Sequence, residues 1–137
     1  MKSLTLILMI IGLTFVFEHA HAQFGYSNEY DTKEGVNIKY KYARSKFLNK
    51  ESNINLRLRL ENTTDEDFLV KFSIVYEKGL TQKLKSEIIN IEIPANKSRT
   101  GKVRGLNFDT GTNDMDYINS YEFNWDFDIF EVSKIKE

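Results

Sequence analysis

The chain is 137 residues long, with 19 Lys and Arg against 20 Asp and Glu, two His, no Cys and a formal net charge of −1. That balance is no electrostatic footprint for nucleic acid, whose binders gather Lys and Arg into a basic excess. The lack of Cys excludes disulfides, thiolate metal sites, a Cys nucleophile and the lipid-modified Cys at which a bacterial lipoprotein is cleaved.

The first 22 residues read as a cleavable export signal. Met1-Lys2 is a short positive segment, Leu4 to Phe17 is apolar apart from Thr5, Gly12 and Thr14, and His19-Ala20-His21-Ala22 supplies a small-x-small site with cleavage after Ala22. The apolar run is shorter than the roughly 20 residues that a bilayer crossing needs, so the mature chain is expected to carry no membrane span and no lipid anchor. Removing residues 1–22 from 137 leaves 115, enough for one hydrophobic core. Both histidines, His19 and His21, leave with the signal. The mature chain then has no imidazole base, no Ser-His-Asp triad and no His or Cys zinc site, so no catalytic residue and no cofactor is expected. A small exported domain without disulfides fits a bacterial periplasmic or extracellular protein.

Gln23 to Gly35 is polar with scattered Phe24, Tyr26 and Tyr30 and no period, which reads as an extended leader ahead of a single domain over residues 36–137. From Val36 the period is two. Val36, Ile38, Tyr40 and Tyr42 alternate with Asn37, Lys39 and Lys41 as a strand, and Arg44 to Asn53 is a basic connecting loop around Phe47-Leu48. Ile54, Leu56, Leu58 and Leu60 alternate with Asn55, Arg57, Arg59 and Glu61. After a turn at Asn62 to Asp67, Phe68, Val70, Phe72, Ile74 and Tyr76 resume the alternation, and these two strands are expected to form a hairpin. In Leu84 to Ile93 the inward phase changes between Ile88 and Ile89, suggesting a bulge or a crossing between sheets. Pro94 to Lys97 is a turn, and Ser98 to Phe108 is a strand whose Gly101 and Gly105 are candidate bulges. Asp109 to Asn119 is a long polar loop. Tyr121 to Ile129 is the last strand, shifting phase near Phe130.

About seven strands with no helical period describe an all-β, antiparallel sandwich of immunoglobulin size. Residues 58–62 (Leu-Arg-Leu-Glu-Asn) before an acidic turn, and 91–98 (Ile-Glu-Ile-Pro-Ala-Asn-Lys-Ser) leading into the next strand, resemble small secreted bacterial immunoglobulin-like sandwich proteins. The resemblance implies that fold, without the Cys pair of antibody-type domains, and an adhesive or accessory role.

The residues offer few constellations for chemistry. Asp109, Asn113, Asp114 and Asp116 form a weak calcium candidate, because calcium takes six to eight oxygen ligands from flexible carboxylate-rich loops, although their spacing is not that of an EF-hand. With antiparallel strands, loops 44–53 and 109–119 share one end of the sandwich, and the acidic turn 62–67 lies at the other beside residues 94–98. Outward Glu122, Asp126 and Asp128 face a basic set of Lys39, Lys41, Arg57 and Arg59, for which cross-strand charge pairing is the expected structural use. Asp126 and Asp128 as a hydrolase carboxylate pair are the least favoured reading, since no cleft is indicated. Trp125 with Phe123 and Phe127 is expected in the core, though an exposed Trp125 would stack a sugar. The sequons Asn62-Thr63-Thr64 and Asn96-Lys97-Ser98 carry meaning only in a eukaryotic secretory pathway.

The expected function is a secreted, non-enzymatic binding or structural module acting on a protein or cell-envelope component. The alternative is a carbohydrate- or calcium-binding accessory module. A flat exposed edge at 36–42 or at the last strand would suit partner binding by strand addition. Intact-mass measurement of the exported protein is expected to find Gln23 at its N-terminus, and a chain still starting at Met1 would overturn the signal reading.

Overall fold

The computed structural model describes residues 25–79, 82–101 and 104–136. The export signal and its cleavage point at Ala22 lie outside the described residues. Among the described residues the chain forms β1 (Asn28–Lys33), β2 (Val36–Arg44), β3 (Ile54–Asn62), β4 (Phe68–Lys78), β5 (Gln82–Lys85), β6 (Ile89–Ile93), β7 (Ser98–Thr100), β8 (Asn107–Asp109), a helical turn α1 (Met115–Ile118) and β9 (Phe123–Lys134).

The stretch read as an extended leader contains β1. It pairs antiparallel with β2 through a two-residue turn at Glu34 and Gly35, both at positive φ (50° and 84°), the backbone that a tight hairpin of right-handed twist demands. Aperiodic polarity hid the strand because its register slips between Glu29 and Asp31, which breaks the alternation.

β2 and β3 pair in an unbroken antiparallel register from Val36 opposite Asn62 to Arg44 opposite Ile54. Their inward residues Val36, Ile38, Ile54, Leu56, Leu58 and Leu60 are completely buried. Burial of each such side chain contributes about 1.5–3 kcal/mol.

The far edge of β3 is covered by β7 and β8 as one interrupted strand, Thr100 lying opposite Arg59 and Asn107 opposite Arg57. Leu58 bridges the interruption: its N–H donates to Leu106 O (2.9 Å) and its carbonyl accepts from Gly101 N (3.3 Å). Gly101 and Gly105 have φ of 69° and 73°, so the bulge expected from their positions is a loop that leaves and rejoins the ladder.

The expected hairpin of residues 54–60 with 68–76 does not form. β3 is central to one sheet and β4 to the other, so residues 62–68 cross between sheets. The reason is Asn62, only 2% exposed. Its Nδ2 donates to Glu66 O (2.7 Å) and Ile93 O (3.0 Å), and its Oδ1 accepts from Thr64 N (3.0 Å) and Thr64 Oγ1 (2.8 Å). These bonds fold the turn over the end of the core and tie it to β6 instead of returning it alongside β3.

β4 carries β9 along one whole edge, and β5 and β6 end to end along the other. The phase change read near Ile88 is the gap between those two strands, where Ser86 N donates to Ile74 O (2.9 Å) and Ser86 Oγ accepts from Ile74 N (2.9 Å). It is a bulge within one sheet, not a crossing. At the same level of β4 the register with β9 slips, Ser73 facing Ile129 and Ile74 facing Phe127, which accounts for the phase shift read near Phe130.

The two antiparallel sheets share one hydrophobic core, including Phe72, Ile74, Ile93, Leu106 and Trp125. Tyr30 of β1 closes one open side: its ring packs on Trp125 and Phe127, and its hydroxyl donates to Asp126. Replacing Asn62 with Asp keeps the shape but removes both donated bonds and faces a carboxylate to two carbonyls. Chemical denaturation is expected to show a loss of about 3 kcal/mol or more, from the cost of unsatisfied buried groups.

Candidate functional site

Two outward rows of the β2–β3 ladder decide where charge collects. Lys39 stands directly opposite Arg59, and Lys41 directly opposite Arg57. Like charges in cross-strand register destabilise a sheet by an amount comparable to what opposite charges contribute, roughly 0.2–1 kcal/mol per pair. Glu61 offsets the first row, with an oxygen 3.7 Å from Lys39 Nζ and another 2.6 Å from Arg59 Nε, the latter off-axis for a hydrogen bond. Glu29 of β1 also stands in register with Lys39. The second row continues to Asn107, an amide, whose Oδ1 accepts from Arg57 Nε (3.1 Å).

Tyr26 lies over this second row. Lys41 Nζ is 4.8 Å from the centre of its ring, a cation–π distance. The Lys41 ammonium is held below the ordinary lysine value, first by loss of water and then by the Arg57 charge. Burial raises the Tyr26 hydroxyl above its ordinary value against the opposing pull of Arg57, a hydrogen bond with Thr100, and Arg59.

The expectation that these cations pair with the acidic residues of the last strand is corrected by the topology. β9 belongs to the opposite sheet, and its acids have other partners: Asp126 accepts from Tyr30 of β1, Asp128 pairs with Lys85 (2.9 Å) and Glu131 with Lys71 (3.3 Å). Asp126 and Asp128 therefore reach partners on β1 and β5 rather than facing each other across a cleft. Glu122 precedes β9 and is held through its backbone: its carbonyl accepts from Gly79 N (3.1 Å) and its N–H donates to Ser120 Oγ (3.2 Å).

The cationic face runs into the β2–β3 loop, as an open cleft of about 590 Å³ lined by Lys41, Arg44, Lys50 and Arg57 together with Phe47 and Leu48. The loop is closed from inside. Ser45 N donates to Asn53 O (2.8 Å), Ser52 Oγ donates to Asn49 O (2.7 Å), and Arg44 Nη1 donates to the carbonyls of Lys50, Ser52 and Asn113 (2.6, 3.2 and 3.2 Å). Phe47 and Leu48 take no part in this closure and are 84% and 85% exposed. Leu48 adopts φ 61°, a left-handed backbone that costs a non-glycine residue about 1–2 kcal/mol.

Loops 44–53 and 109–119 do abut, as their placement at one end predicts. Their join is backbone and amide rather than ionic: besides the Arg44 bond to Asn113 O, Ile54 N donates to Thr112 O (2.8 Å), and Asn53 Nδ2 donates to both oxygens of Asp109 (3.1 Å each). Of the calcium candidates, Asp109 also accepts from Gly111 N (2.7 Å), and Asp114 caps α1 by accepting from Asp116 N and Tyr117 N (3.0 and 3.1 Å). Asn113 contributes its carbonyl to Arg44, and Asp116 sits in the first turn of α1. Among the described residues no group of three or more His, Cys, Asp or Glu is placed to hold a metal ion. The helical turn within this loop was not legible as a period, because it is one turn long.

Trp125 is 5% exposed, packed against Tyr30, Tyr40 and Phe127, so it presents no stacking platform. A second open cleft of about 840 Å³ is bordered by Glu77, Tyr121 and Glu122 and is acidic. Tyr42 and Tyr76 are raised well above the ordinary tyrosine value, chiefly by burial, and the Tyr76 hydroxyl has no hydrogen-bond partner.

Neither edge that strand addition would use is flat and open. β2 is covered by β1, and on β9 the N–H of Val132 donates to Glu34 Oε2 (3.1 Å) while that of Phe127 donates to Asp126 Oδ1 (2.7 Å). Sequence reasoning identified Lys39, Lys41, Arg57 and Arg59 as an outward basic set but assigned them to the acids of the last strand; that Lys39 meets Arg59 and Lys41 meets Arg57 follows from the β2–β3 register.

Comparison with protein-family models, curated proteins and solved structures finds no match for the chain.

Lys41→Glu turns one like-charge row into an opposite-charge row and gives up the present contacts of Lys41, among them a cation–π contact worth about 0.5–1 kcal/mol. The variant is expected to be as stable as the natural protein or up to about 1 kcal/mol more stable. The gain in melting temperature that added salt gives the natural protein should shrink in the variant, which differential scanning calorimetry checks.

Proposed function

We propose that this chain is an exported, non-enzymatic binding module of the immunoglobulin-like sandwich type, which engages an anionic component of the cell envelope through the outward face of β2 and β3. The observation that carries the reading is the register that sets Lys39 against Arg59 and Lys41 against Arg57. Within the fold each like-charge pair is a local cost that neighbours such as Glu61 and Tyr26 offset, whereas an anionic partner turns the repulsion into attraction.

Three further features support the reading. The segment 1–22 has the pattern of an export signal, and beyond it the chain has neither His nor Cys. The pairing of β3 with β7 and β8, and of β4 with β9, parallels the B–E and C–F pairings of immunoglobulin sandwiches, with β5 and β6 in the place of an extra strand beside C. β2 is covered by β1, and two N–H groups of β9 are taken by carboxylates, so neither offers the open edge that strand addition needs.

The test uses the full chain expressed in its own cells, purified after export and mixed with envelope fragments. Binding is expected at low salt, to fall as salt rises past about 0.15 M, and to weaken about tenfold or more in Lys41→Glu, from about 1 kcal/mol per cation near an anionic surface. Binding that is indifferent to both salt and Lys41→Glu would sink the proposal.

A further inference from the structure

Resting on that reading, we infer that the anionic partner is a lipid surface, and that the β2–β3 loop docks on it with Phe47 and Leu48 entering the bilayer interface while Lys41, Arg44, Lys50 and Arg57 meet the headgroups.

The loop's own hydrogen bonds leave Phe47 and Leu48 without a folding role. Closure runs through Ser45, Ser52, Arg44 and the carbonyls of Asn49, Lys50 and Asn53, and a polar residue at 47 or an Asn at 48, which suits the left-handed backbone there better than Leu, would serve it as well. Two large apolar side chains are nevertheless held almost fully in water, on the same cleft as four cations. Adjacent exposed apolar residues mark an interaction site rather than the scattered background of a surface.

The shape of the patch selects the occupant. A small ligand is taken in a concave apolar pocket, but Phe47 and Leu48 project from a loop tip into solvent. A polysaccharide stacks on an aromatic ring and has no use for an aliphatic Leu beside it. A bilayer interface takes both: the apolar pair enters the boundary of headgroup and acyl chain, and flanking cations add attraction to anionic lipids. Lys46 and Lys50 bracket Phe47-Leu48-Asn49 in sequence, with Glu51 the one acid in the loop.

The probes are vesicles of phosphatidylcholine alone and vesicles containing phosphatidylglycerol, co-sedimented with the purified exported protein. The natural protein is expected to bind the phosphatidylglycerol vesicles and not the neutral ones. The double variant Phe47→Ser with Leu48→Ser should lose about tenfold or more of that binding, since two buried apolar side chains supply it, with its melting temperature unchanged. A Phe47→Trp variant gives a second readout, its added emission shifting to the blue on phosphatidylglycerol vesicles. Equal binding by the double variant, or no shift in Phe47→Trp, would overturn the insertion. Salt-sensitive binding to envelope fragments with no binding to phosphatidylglycerol vesicles would overturn the lipid assignment, leave the anionic-face reading standing and point to an envelope polymer. Loss of both would overturn both.

Discussion

The Asn62 side chain, dry and bonded through both its amide nitrogen and its oxygen, decides where the second half of the chain goes. A hairpin at residues 62–67 would have laid β4 beside β3. The crossing instead leaves the far edge of β3 open to β7 and β8 and makes β4 the centre of a second sheet with β9. An interaction at one turn thereby separates the cations of β2 and β3 from the acids of β9. The excess positive charge on one face follows from the strand order, even though the chain as a whole is close to neutral.

Much of the local structure was legible because it is written in period two. The strands at 36–42, 54–60 and 68–76 lie within β2, β3 and β4, the one at 121–129 overlaps β9 from Phe123 onward, and Gly101 and Gly105 marked a break in the ladder from composition alone. Two kinds of feature were not legible. β1 has a slipped register, so its side chains follow no single alternation. Sheet membership depends on long-range pairing that no local pattern encodes, and the hairpin expectation failed there. The candidate site was hidden for the same reason: Lys39, Lys41, Arg57 and Arg59 were visible as outward cations, but which charges they would meet depended on topology.

The central strand of the second sheet shows how irregularity is confined. β4 keeps its own alternation from Phe68 to Tyr76 while both of its neighbours slip near Ser73 and Ile74, β9 by one extra residue and the β5–β6 edge by a gap that Ser86 bridges. A bulge on one side alone would skew the sheet. Paired bulges bend both flanks around an intact centre, which lets Phe127, Phe130 and Val132 all pack on the core despite the phase change.

The clasp between β1 and β9 has a mechanical side. β1 is bonded by backbone to one sheet, yet Tyr30 and Glu34 hold Asp126 and the Val132 amide of the other, and Lys33 lies over the Tyr30, Phe127 and Phe130 rings. The two strands run in the same direction along this seam, so residue 28 and residue 134 leave the domain at opposite ends of it. Tension drawn through the chain would load these contacts in shear, all at once, instead of unzipping them one by one. A domain tethered at one end and gripped at the other would resist extension best along this axis.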